Sequence, residues 1–263
     1  MRSHRLLLIL LAAITTVVIA VFVVTITRDP QQSGPSVPSS TSTETTSPPS
    51  STARRESASD LFGNRLDIPD SDAGTIVVPD PGARPDPTRP DYLSTAPAQL
   101  RWQRGWGGAA LPVSASDGPS AIVDGIASGF ARTPQGAALA AADALGRALA
   151  APDRTWQRVV SERYYGGGQG LADRFARSRA RTPDAARYVT VPDGVRIASC
   201  YSSDYAVIEF AIRDGLGYRI ARWPMIWIDG DWRVSVPSDI ETLWGPGTYA
   251  ASLTGFGTWR TAS

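Results

Sequence analysis

The strongest feature of the hydrophobic pattern is an unbroken apolar run near the start of the chain. Leu6 to Thr27 contains 22 residues and no charged side chain. As an α-helix this run extends roughly 33 Å, which exceeds the hydrocarbon thickness of a bilayer, about 30 Å. We therefore predict a transmembrane helix at residues 6–27, preceded by a cytoplasmic stub at residues 1–5.

The charges that flank this run predict its orientation. Arg2 and Arg5 precede it, whereas Arg28 and Asp29 follow it and cancel each other. Because cytoplasmic flanks are enriched in basic residues, we expect the amino terminus in the cytoplasm and the remaining chain outside the cell membrane. The alternative is a cleaved signal peptide, but such segments have a shorter apolar region that ends at small residues. We expect an uncleaved signal-anchor that contacts the lipid bilayer through Leu6–Thr27.

Polar and proline-rich sequence follows the apolar run. Between Ser33 and Thr52, 17 of 20 residues are Ser, Thr or Pro, which leaves almost nothing apolar to bury. Seven prolines between Pro69 and Pro97 favour an extended, stiff chain. The sequence thus predicts a disordered Ser/Thr/Pro-rich tether at residues 28–95 and an extracytoplasmic domain at residues 96–263. Apolar stretches inside the tether, such as Ile76-Val77-Val78, are expected to make only weak hydrophobic contacts.

Helical spacing of apolar residues begins in the first half of the predicted domain. Thr133 is expected to cap a helix that has Pro134 in its first turn and ends at Ala150. The small side chains of this Ala-rich helix favour close packing against a sheet. Two further helices are predicted, at about residues 153–165 and 171–181.

After these helices the apolar period changes to strict alternation, which is typical of strands. Asp-Gly pairs separate several of the alternating runs and are strong hairpin signals. Pro224 cannot donate to a sheet ladder, so its strand is expected to be bulged or at an edge there. Helices followed by an antiparallel meander predict an α+β domain. The expected strands are Tyr188–Val191, Val195–Tyr201, Tyr205–Ile212, Tyr218–Ile228 and Trp232–Val236.

Composition excludes several kinds of chemistry. The chain has one His, His4, and one Cys, Cys200. A Cys/His metal site, an intrachain disulfide and a Ser-His-Asp triad in the body of the protein are therefore excluded. After residue 29 the chain carries 23 Arg against 24 Asp and Glu, and this balance weakens a nucleic-acid role. We predict no nucleic-acid partner, no cofactor, and no catalytic, cofactor-binding or metal-binding residues.

Candidate acid–base groups are few. Asp204, Glu209 and Asp214 are the nearest carboxylates to the predicted sheet, and Glu209 is expected to point to solvent from the middle of a strand. Gly166–Gly170 lacks the Lys of a phosphate-binding loop, follows an apparently helical segment and is interpreted as a flexible loop. Cys200 is interpreted as a small buried hydrophobe. These observations predict a protein that is not an enzyme.

Two segments are candidate interaction surfaces. Between Arg163 and Arg187 six Arg stand against two Asp, which predicts either a solvated helix face or a basic patch for an acidic partner. The tail from Leu243 to Trp259 is aromatic with scattered glycines. It either folds back over the domain or provides a partner surface.

Two stretches resemble known families. The helix-first order and the hairpin at residues 225–234 resemble the NTF2-like cone, in which a curved sheet wraps a long helix. The run Gly129-Phe130-Ala131-Arg132-Thr133-Pro134-Gln135-Gly136-Ala137 is similar to a family of membrane-anchored actinobacterial proteins found in conjugative and integrative elements. The first resemblance covers about residues 134–240, and the second about residues 100–260.

An anchor, a tether and an NTF2-like outer domain together resemble the bitopic assembly proteins of type IV secretion systems, including the TcpC type. The resemblance implies a non-enzymatic scaffold or assembly subunit of a conjugative DNA-transfer apparatus at the cell membrane. Its expected partners are other proteins of that complex and further copies of the chain. The alternative is an extracytoplasmic domain that binds a small ligand or acts as a sensor. A sizeable, open, apolar cavity favours this alternative, and a filled core argues against it.

Overall fold

The computed structural model describes residues 57–260, which fold into a mixed α+β arrangement and confirm that predicted class. The predicted transmembrane helix at Leu6–Thr27 and the tether up to residue 56 lie outside the described residues. Within residues 57–260, no helix combines the length and the apolar character that crossing a bilayer requires. The helices are α1 Pro134–Ala150, α2 Thr155–Arg163 and α3 Gly168–Arg181, close to the three predicted.

Helix α1 is central to the fold, and its start is the one the sequence predicts. The Thr133 hydroxyl accepts a hydrogen bond from the Gly136 amide, and Pro134 occupies the first turn. At the other end Ala151 adopts an extended conformation and stops the helix. Thirteen of the 17 residues in α1 are buried. A helix that is buried nearly all round has to be covered by several neighbouring elements.

The main sheet has six strands and packs against α1. Its strands are β7 Tyr164–Tyr165, β8 Gly194–Ile197, β9 Tyr205–Asp214, β10 Gly217–Ile228, β11 Asp231–Ser235 and β12 Thr248–Ala250. The order is β7-β11-β10-β9-β8, and β12 pairs with the first part of β10. The turn between β10 and β11 has positive φ at Asp229 and Gly230, 50° and 79°. An Asp-Gly pair tolerates these angles well, which explains the predicted hairpin.

Pro224 lies at a local edge of the main sheet, as predicted. It pairs with Val207 of β9. On its other side β10 pairs with β12 at residues 218–220 and with β11 at residues 225–228. Within the described chain no strand therefore lies opposite Pro224 on that side, and its missing N–H leaves the ladder intact.

Two predicted strands differ from the structure. Residues 188–191 form no strand, because a 3-10 turn covers Ala185–Tyr188 and the chain then passes irregularly between the layers. There the carbonyl of Val189 accepts a hydrogen bond from the amide of Ala110. The apolar alternation in this stretch thus reflects burial rather than sheet pairing. The strand predicted at 195–201 is shorter, because β8 ends at its fourth residue and the chain turns.

A second sheet, which the sequence analysis did not predict, also packs against α1 through its last strand. Its order is β1-β2-β3-β4, and β2 and β3 run parallel. A separate hairpin precedes α1. The strands are β1 Ser57–Ser59, β2 Arg65–Asp67, β3 Arg101–Arg104 and β4 Ala110–Val113, with β5 Ala121–Val123 and β6 Ile126–Ser128 in the hairpin.

The folded part begins earlier than the sequence predicts. The tether was expected to extend to residue 95, but β2 pairs with β3, and Leu66 of β2 is only 1% exposed. The buried Gln135 side chain of α1 donates hydrogen bonds to the carbonyls of Tyr92 and Thr95. Prolines disfavour regular structure, but they leave carbonyl groups free to accept hydrogen bonds. The proline-rich stretch from residue 57 onward is therefore docked on the domain.

The C-terminal tail folds back over the domain, which is one of the two alternatives considered for it. Trp259 is 1% exposed. Its indole N–H donates to the carbonyl of Ser94, and its own carbonyl accepts from the indole of Trp102. The tail therefore connects the proline-rich stretch, the second sheet and the main sheet.

Candidate functional site

An apolar pocket opens between the helices and the main sheet, and its volume is about 170 Å³. Helices α1 and α3 contribute one part of its lining, β9 and β10 another, and Trp102 of β3 a third. The backbone and side chains of residues 243–247 complete it. Its largest apolar side chains are Trp102, Leu145, Leu149, Phe210, Ile212, Trp223, Leu243 and Trp244.

Strand geometry aims the sheet residues at this pocket. Phe210 and Ile212 alternate along β9, and Ala221 and Trp223 alternate along β10. The register pairs Phe210 with Ala221. Because alternate residues of a strand share a face, and directly paired residues do too, all four side chains lie on one face of the sheet. The alternating apolar residues of these two strands thus form one wall of the pocket.

Residues 237–247 form a strap that lines one side of the pocket. Within the described residues the backbone of this strap makes hydrogen bonds only to itself. Side chains hold it instead. The guanidinium of Arg174 lies 2.9 Å from the Glu241 carboxylate and 4.6 Å from the ring centroid of Trp244. Phe175 makes an edge-on contact with the Trp244 ring at 5.0 Å. The strap is therefore the wall of the pocket that opens most easily.

Replacing Glu241 by glutamine is expected to loosen the strap without unfolding the domain. The Glu241 side chain is 55% exposed, so loss of its charge costs about 1 kcal/mol or less. The rate of chymotrypsin cleavage after Trp244 should rise, while the urea unfolding midpoint changes little. Glu162→Gln is the matched control, because that carboxylate is similarly exposed and pairs with Arg158 on α2. Equal cleavage rates in both variants would contradict the conclusion that Glu241 holds the strap in place.

Three of the six arginines in the predicted cluster make structural contacts within the domain. The buried Arg163 pairs with a carboxylate of β11 at 2.7 Å, and Arg174 holds the strap. Arg179 donates to three carbonyls at the end of α1 and thereby caps that helix. Arg177 is only weakly paired, at 3.9 Å from the Glu241 carboxylate. Arg181 and Arg187 have neither a carboxylate within 4 Å nor a carbonyl partner in residues 57–260. The cluster is thus neither a uniform solvated face nor a continuous basic patch.

The candidate carboxylate in the middle of β9 is paired rather than solvated. The side chain of Glu209 is 11% exposed and lies 2.6 Å from Arg196 and 3.3 Å from Arg222. These two arginines are its cross-strand neighbours on β8 and β10. The prediction that Glu209 points freely to solvent is therefore wrong, because opposite charges directly across the sheet cover it.

The other two candidate carboxylates do not join Glu209 in a common site. Asp214 pairs with Arg219 at 2.7 Å, and Arg219 lines the pocket. Asp204 accepts a hydrogen bond from the Ser202 hydroxyl, which lowers the pKa of its carboxyl below the ordinary value. Across residues 57–260 no group of three or more His, Cys, Asp and Glu side chains is placed to hold a metal ion.

Two smaller predictions are corrected. Cys200 is exposed rather than buried, because β8 ends before it and the chain turns there. The segment before Gly166–Gly170 is the short strand β7 rather than helix, so the loop joins a strand to α3. The phosphate-loop arrangement still lacks its Lys. Positive φ at Gly166 and Gly167, 93° and 75°, gives the structural reason for those glycines.

The sequence analysis missed a buried polar pair inside α1. Asp143 and Arg147 lie 2.7 Å apart with side chains no more than 1% exposed. Arg147 also donates to the carbonyls of Ala73 and Gly125. Burial raises the pKa of the Asp143 carboxyl, and burial likewise raises the pKa of the Tyr164 hydroxyl. The available signal was an Asp and an Arg four positions apart in a helix that otherwise reads as apolar.

Comparison with known proteins identifies a family but no activity. The family model described as "Domain of unknown function (DUF8175)" matches residues 67–258. This match spans most of the described chain: it begins at the last residue of β2 and includes β3, β4, the main sheet and the strap. No curated protein and no solved structure matches the chain.

Proposed function

The chain belongs to the DUF8175 family, and we propose that it acts as an extracytoplasmic domain that binds a small apolar ligand. The observation that carries this proposal is the open pocket between α1, α3 and the main sheet, with its aromatic lining. Such a cavity is the feature that separates the ligand-binding alternative from a scaffold with a filled core. Ligand binding therefore becomes the leading function.

The size of the pocket limits the ligand to one or two small rings. Pockets for drug-sized molecules have volumes of roughly 300–1,000 Å³. An apolar protein cavity of about 150 Å³ accommodates benzene. A pocket of about 170 Å³ thus suits a molecule between benzene and a small bicyclic compound.

The polar groups around the pocket favour a neutral ligand. Arg219 is already paired with Asp214, and the rest of the lining is predominantly apolar. A charged ligand would lose its hydration without gaining a free partner, which is strongly unfavourable. The indole N–H groups of Trp223 and Trp244 have no acceptor within the described residues, so both are free to donate a hydrogen bond.

We propose binding rather than catalysis because no titratable pair faces this pocket. Glu209 and Asp214 are held in ion pairs with arginines. Asp143 and Tyr164 are enclosed in the core, where a substrate has no access to them. A general acid–base mechanism needs such groups within hydrogen-bonding reach of the reacting atoms.

The architecture also supports an NTF2-like cone as the finer description of residues 134–250. Helix α1 packs against β9, β10 and β11, and the predicted closing hairpin is formed by β10 and β11. The pocket lies between the helices and the sheet, where a cone leaves space. Residues 57–133 add the second sheet and the β5–β6 hairpin to this core.

Binding can be tested with benzene and indole as probes on the full-length protein in phosphatidylcholine nanodiscs. Saturation-transfer NMR should detect both molecules, and both should raise the thermal unfolding midpoint. Ala142→Leu puts three more carbon atoms into the pocket lining and is expected to abolish both effects. Ala180→Leu is the control, because Ala180 is exposed on α3 and does not line the pocket. Absence of binding to the unaltered protein, or equal binding by both variants, would reject the proposal.

A second candidate function is the scaffold or assembly subunit of a conjugative DNA-transfer apparatus. The observation that favours it is the order of the chain: an apolar run at Leu6–Thr27, a Ser/Thr/Pro-rich segment, and an α+β domain. Deleting the gene is expected to abolish transfer of the conjugative element without slowing growth. Normal transfer in the deletion strain would exclude this role.

We further propose that the protein is a single-pass cell-membrane protein with its domain outside. The flanking charges of the apolar run support this orientation. Alkaline phosphatase fused after Ser263 should be active, because that reporter works only outside the cytoplasm. An inactive but stable fusion protein, or its recovery from the culture medium, would contradict the orientation or the anchor.

A further inference from the structure

One segment of the proline-rich stretch presents free backbone at the protein surface. Residues 75–79, Thr-Ile-Val-Val-Pro, are called the edge segment here, and they run without a helix, turn or bend. Ile76 is 46% exposed and Val78 is 86% exposed. Side chains two positions apart in an extended chain point the same way, so the edge segment presents both to solvent together.

The middle of the edge segment has no hydrogen-bond partners, whereas both of its ends are fixed. The backbone N–H and C=O groups of Ile76, Val77 and Val78 make no hydrogen bond within residues 57–260. At one end the Gln103 side chain bonds both the amide and the carbonyl of Thr75. Just beyond the other end, the Asp80 amide donates to the carbonyl of Ala115, which follows β4. A fixed, extended chain with free backbone groups is what an added strand requires.

Negative charge brackets the edge segment. Asp70 and Asp72 precede it, and Asp80 follows it. All three residues are exposed, and none of them forms an ion pair within the described part of the chain. A strand that adds here therefore gains from basic residues on both sides of its apolar centre.

A neighbouring apolar side chain extends the surface. Arg147 donates to the carbonyls of Ala73 and Gly125, and so brings the start of the edge segment beside the β5–β6 hairpin. Val123 of that hairpin is 63% exposed. The edge segment and this side chain together offer apolar contacts next to unpaired backbone groups.

We infer that the edge segment is a docking site for an extended partner peptide with an apolar centre flanked by basic residues. The peptide adds as a β-strand along one edge, where its backbone bonds to the N–H and C=O groups of Ile76 and Val78. Successive residues of a strand present these groups to opposite edges, and the Gln103 side chain occupies the edge of Thr75. A second copy of this chain fits less well. Antiparallel self-pairing centred on Val77 leaves Asp72 and Asp80 opposite glycines, without a basic partner, and parallel pairing in register places each aspartate against itself. Like charges directly opposite each other destabilise a strand pair. This inference is independent of the ligand proposed for the pocket.

Fluorescence anisotropy on the full-length protein in phosphatidylcholine nanodiscs tests the inference. The zwitterionic lipid keeps a basic peptide off the bilayer. The probe is a labelled peptide with a Val-Thr-Val-Thr centre and two arginines at each end. We expect it to bind, and we expect a version with two glutamates at each end to bind about tenfold more weakly or not at all. A peptide that is N-methylated at alternate amides should lose binding, because it can no longer form the ladder.

Two variants separate the charge from the backbone contribution. Asp72→Arg combined with Asp80→Arg should reverse the preference toward the glutamate-flanked peptide without changing the unfolding midpoint. Val78→Pro removes one of the two N–H groups on the free edge and should abolish binding of both peptides. Equal binding of the two charged peptides, retained binding by the N-methylated peptide, or no binding at all would overturn the inference. Dimers of the full-length protein that Val78→Pro disperses would overturn it in favour of a second copy.

Discussion

Replacing Arg147 by methionine is expected to lower the free energy of unfolding by about 3–5 kcal/mol. Arg147 is buried, and its guanidinium is the hydrogen-bonded partner of the equally buried Asp143. The substitution leaves a carboxylate without a counter-charge in the core, and such a group is costly whether it stays ionised or takes up a proton. It also removes the donor that holds the carbonyls of Ala73 and Gly125. Urea unfolding, followed by circular dichroism, measures the effect.

Two further variants show whether the unpaired carboxylate is the cause. Asp143→Leu combined with Arg147→Met removes both charges, and it should recover a large part of the lost stability because paired apolar replacements are often neutral. Arg158→Met breaks exposed pairs with Asp124 and Glu162 and should leave the urea unfolding midpoint nearly unchanged. A double variant as unstable as Arg147→Met alone would show that the two carbonyl contacts dominate.

Replacing Trp259 by alanine should cost about 3–5 kcal/mol, the range for a large aromatic side chain removed from a core. Trp259 is 1% exposed, although only four residues follow it in the sequence. Its indole donates to the carbonyl of Ser94, and its carbonyl accepts from Trp102. The cavity and the lost hydrogen bond both weaken the contact between the tail and the rest of the domain. The same urea titration measures the change.

Tyr249→Ala is the matched control for this prediction. Tyr249 is also an aromatic residue of the tail, but it is 53% exposed. Its removal should cost about 1 kcal/mol or less, since half-exposed side chains bury little area. If both variants lose the same stability, the tail acts as one loosely attached unit. The buried position of Trp259 is then not what matters.

The proposals for the pocket and for the edge segment can be tested separately. The pocket is lined by α1, α3, β9, β10 and the strap, whereas the edge segment belongs to the stretch before β3. Ala142→Leu should affect probe binding in the pocket and leave peptide binding intact. Val78→Pro should do the opposite. The two proposals therefore stand or fall independently.

Local features of the fold were predictable because short-range chemistry decides them. Thr133 caps α1 with its own hydroxyl, a contact that spans three residues. The Asp229-Gly230 turn joins two adjacent strands, and both of its residues adopt the positive φ that such pairs tolerate. The α+β class follows from the order of these local elements. The apolar alternation of β9 and β10 also predicted the two strands that form the sheet side of the pocket.

Long-range partners were beyond the reach of sequence patterns. Apolar alternation reports that a stretch is buried, but it does not say what buries it. Residues 188–191 therefore looked like a strand while lying irregularly between layers. For the same reason prolines suggested a tether where β2 in fact pairs with β3, more than thirty residues along the chain. The sequence also did not show which arginines are buried, because the partner of a side chain depends on elements far away in sequence.

The sequence by itself determined where helices begin, where strands turn, and that the described residues form an α+β domain. Only the tertiary structure decided that α1 is enclosed, that the tail closes one side of a pocket, and that Arg147 and Asp143 share the core. The physical reason is range. Caps and turns are set by neighbours a few residues apart, whereas burial and charge pairing are set by which distant surfaces meet.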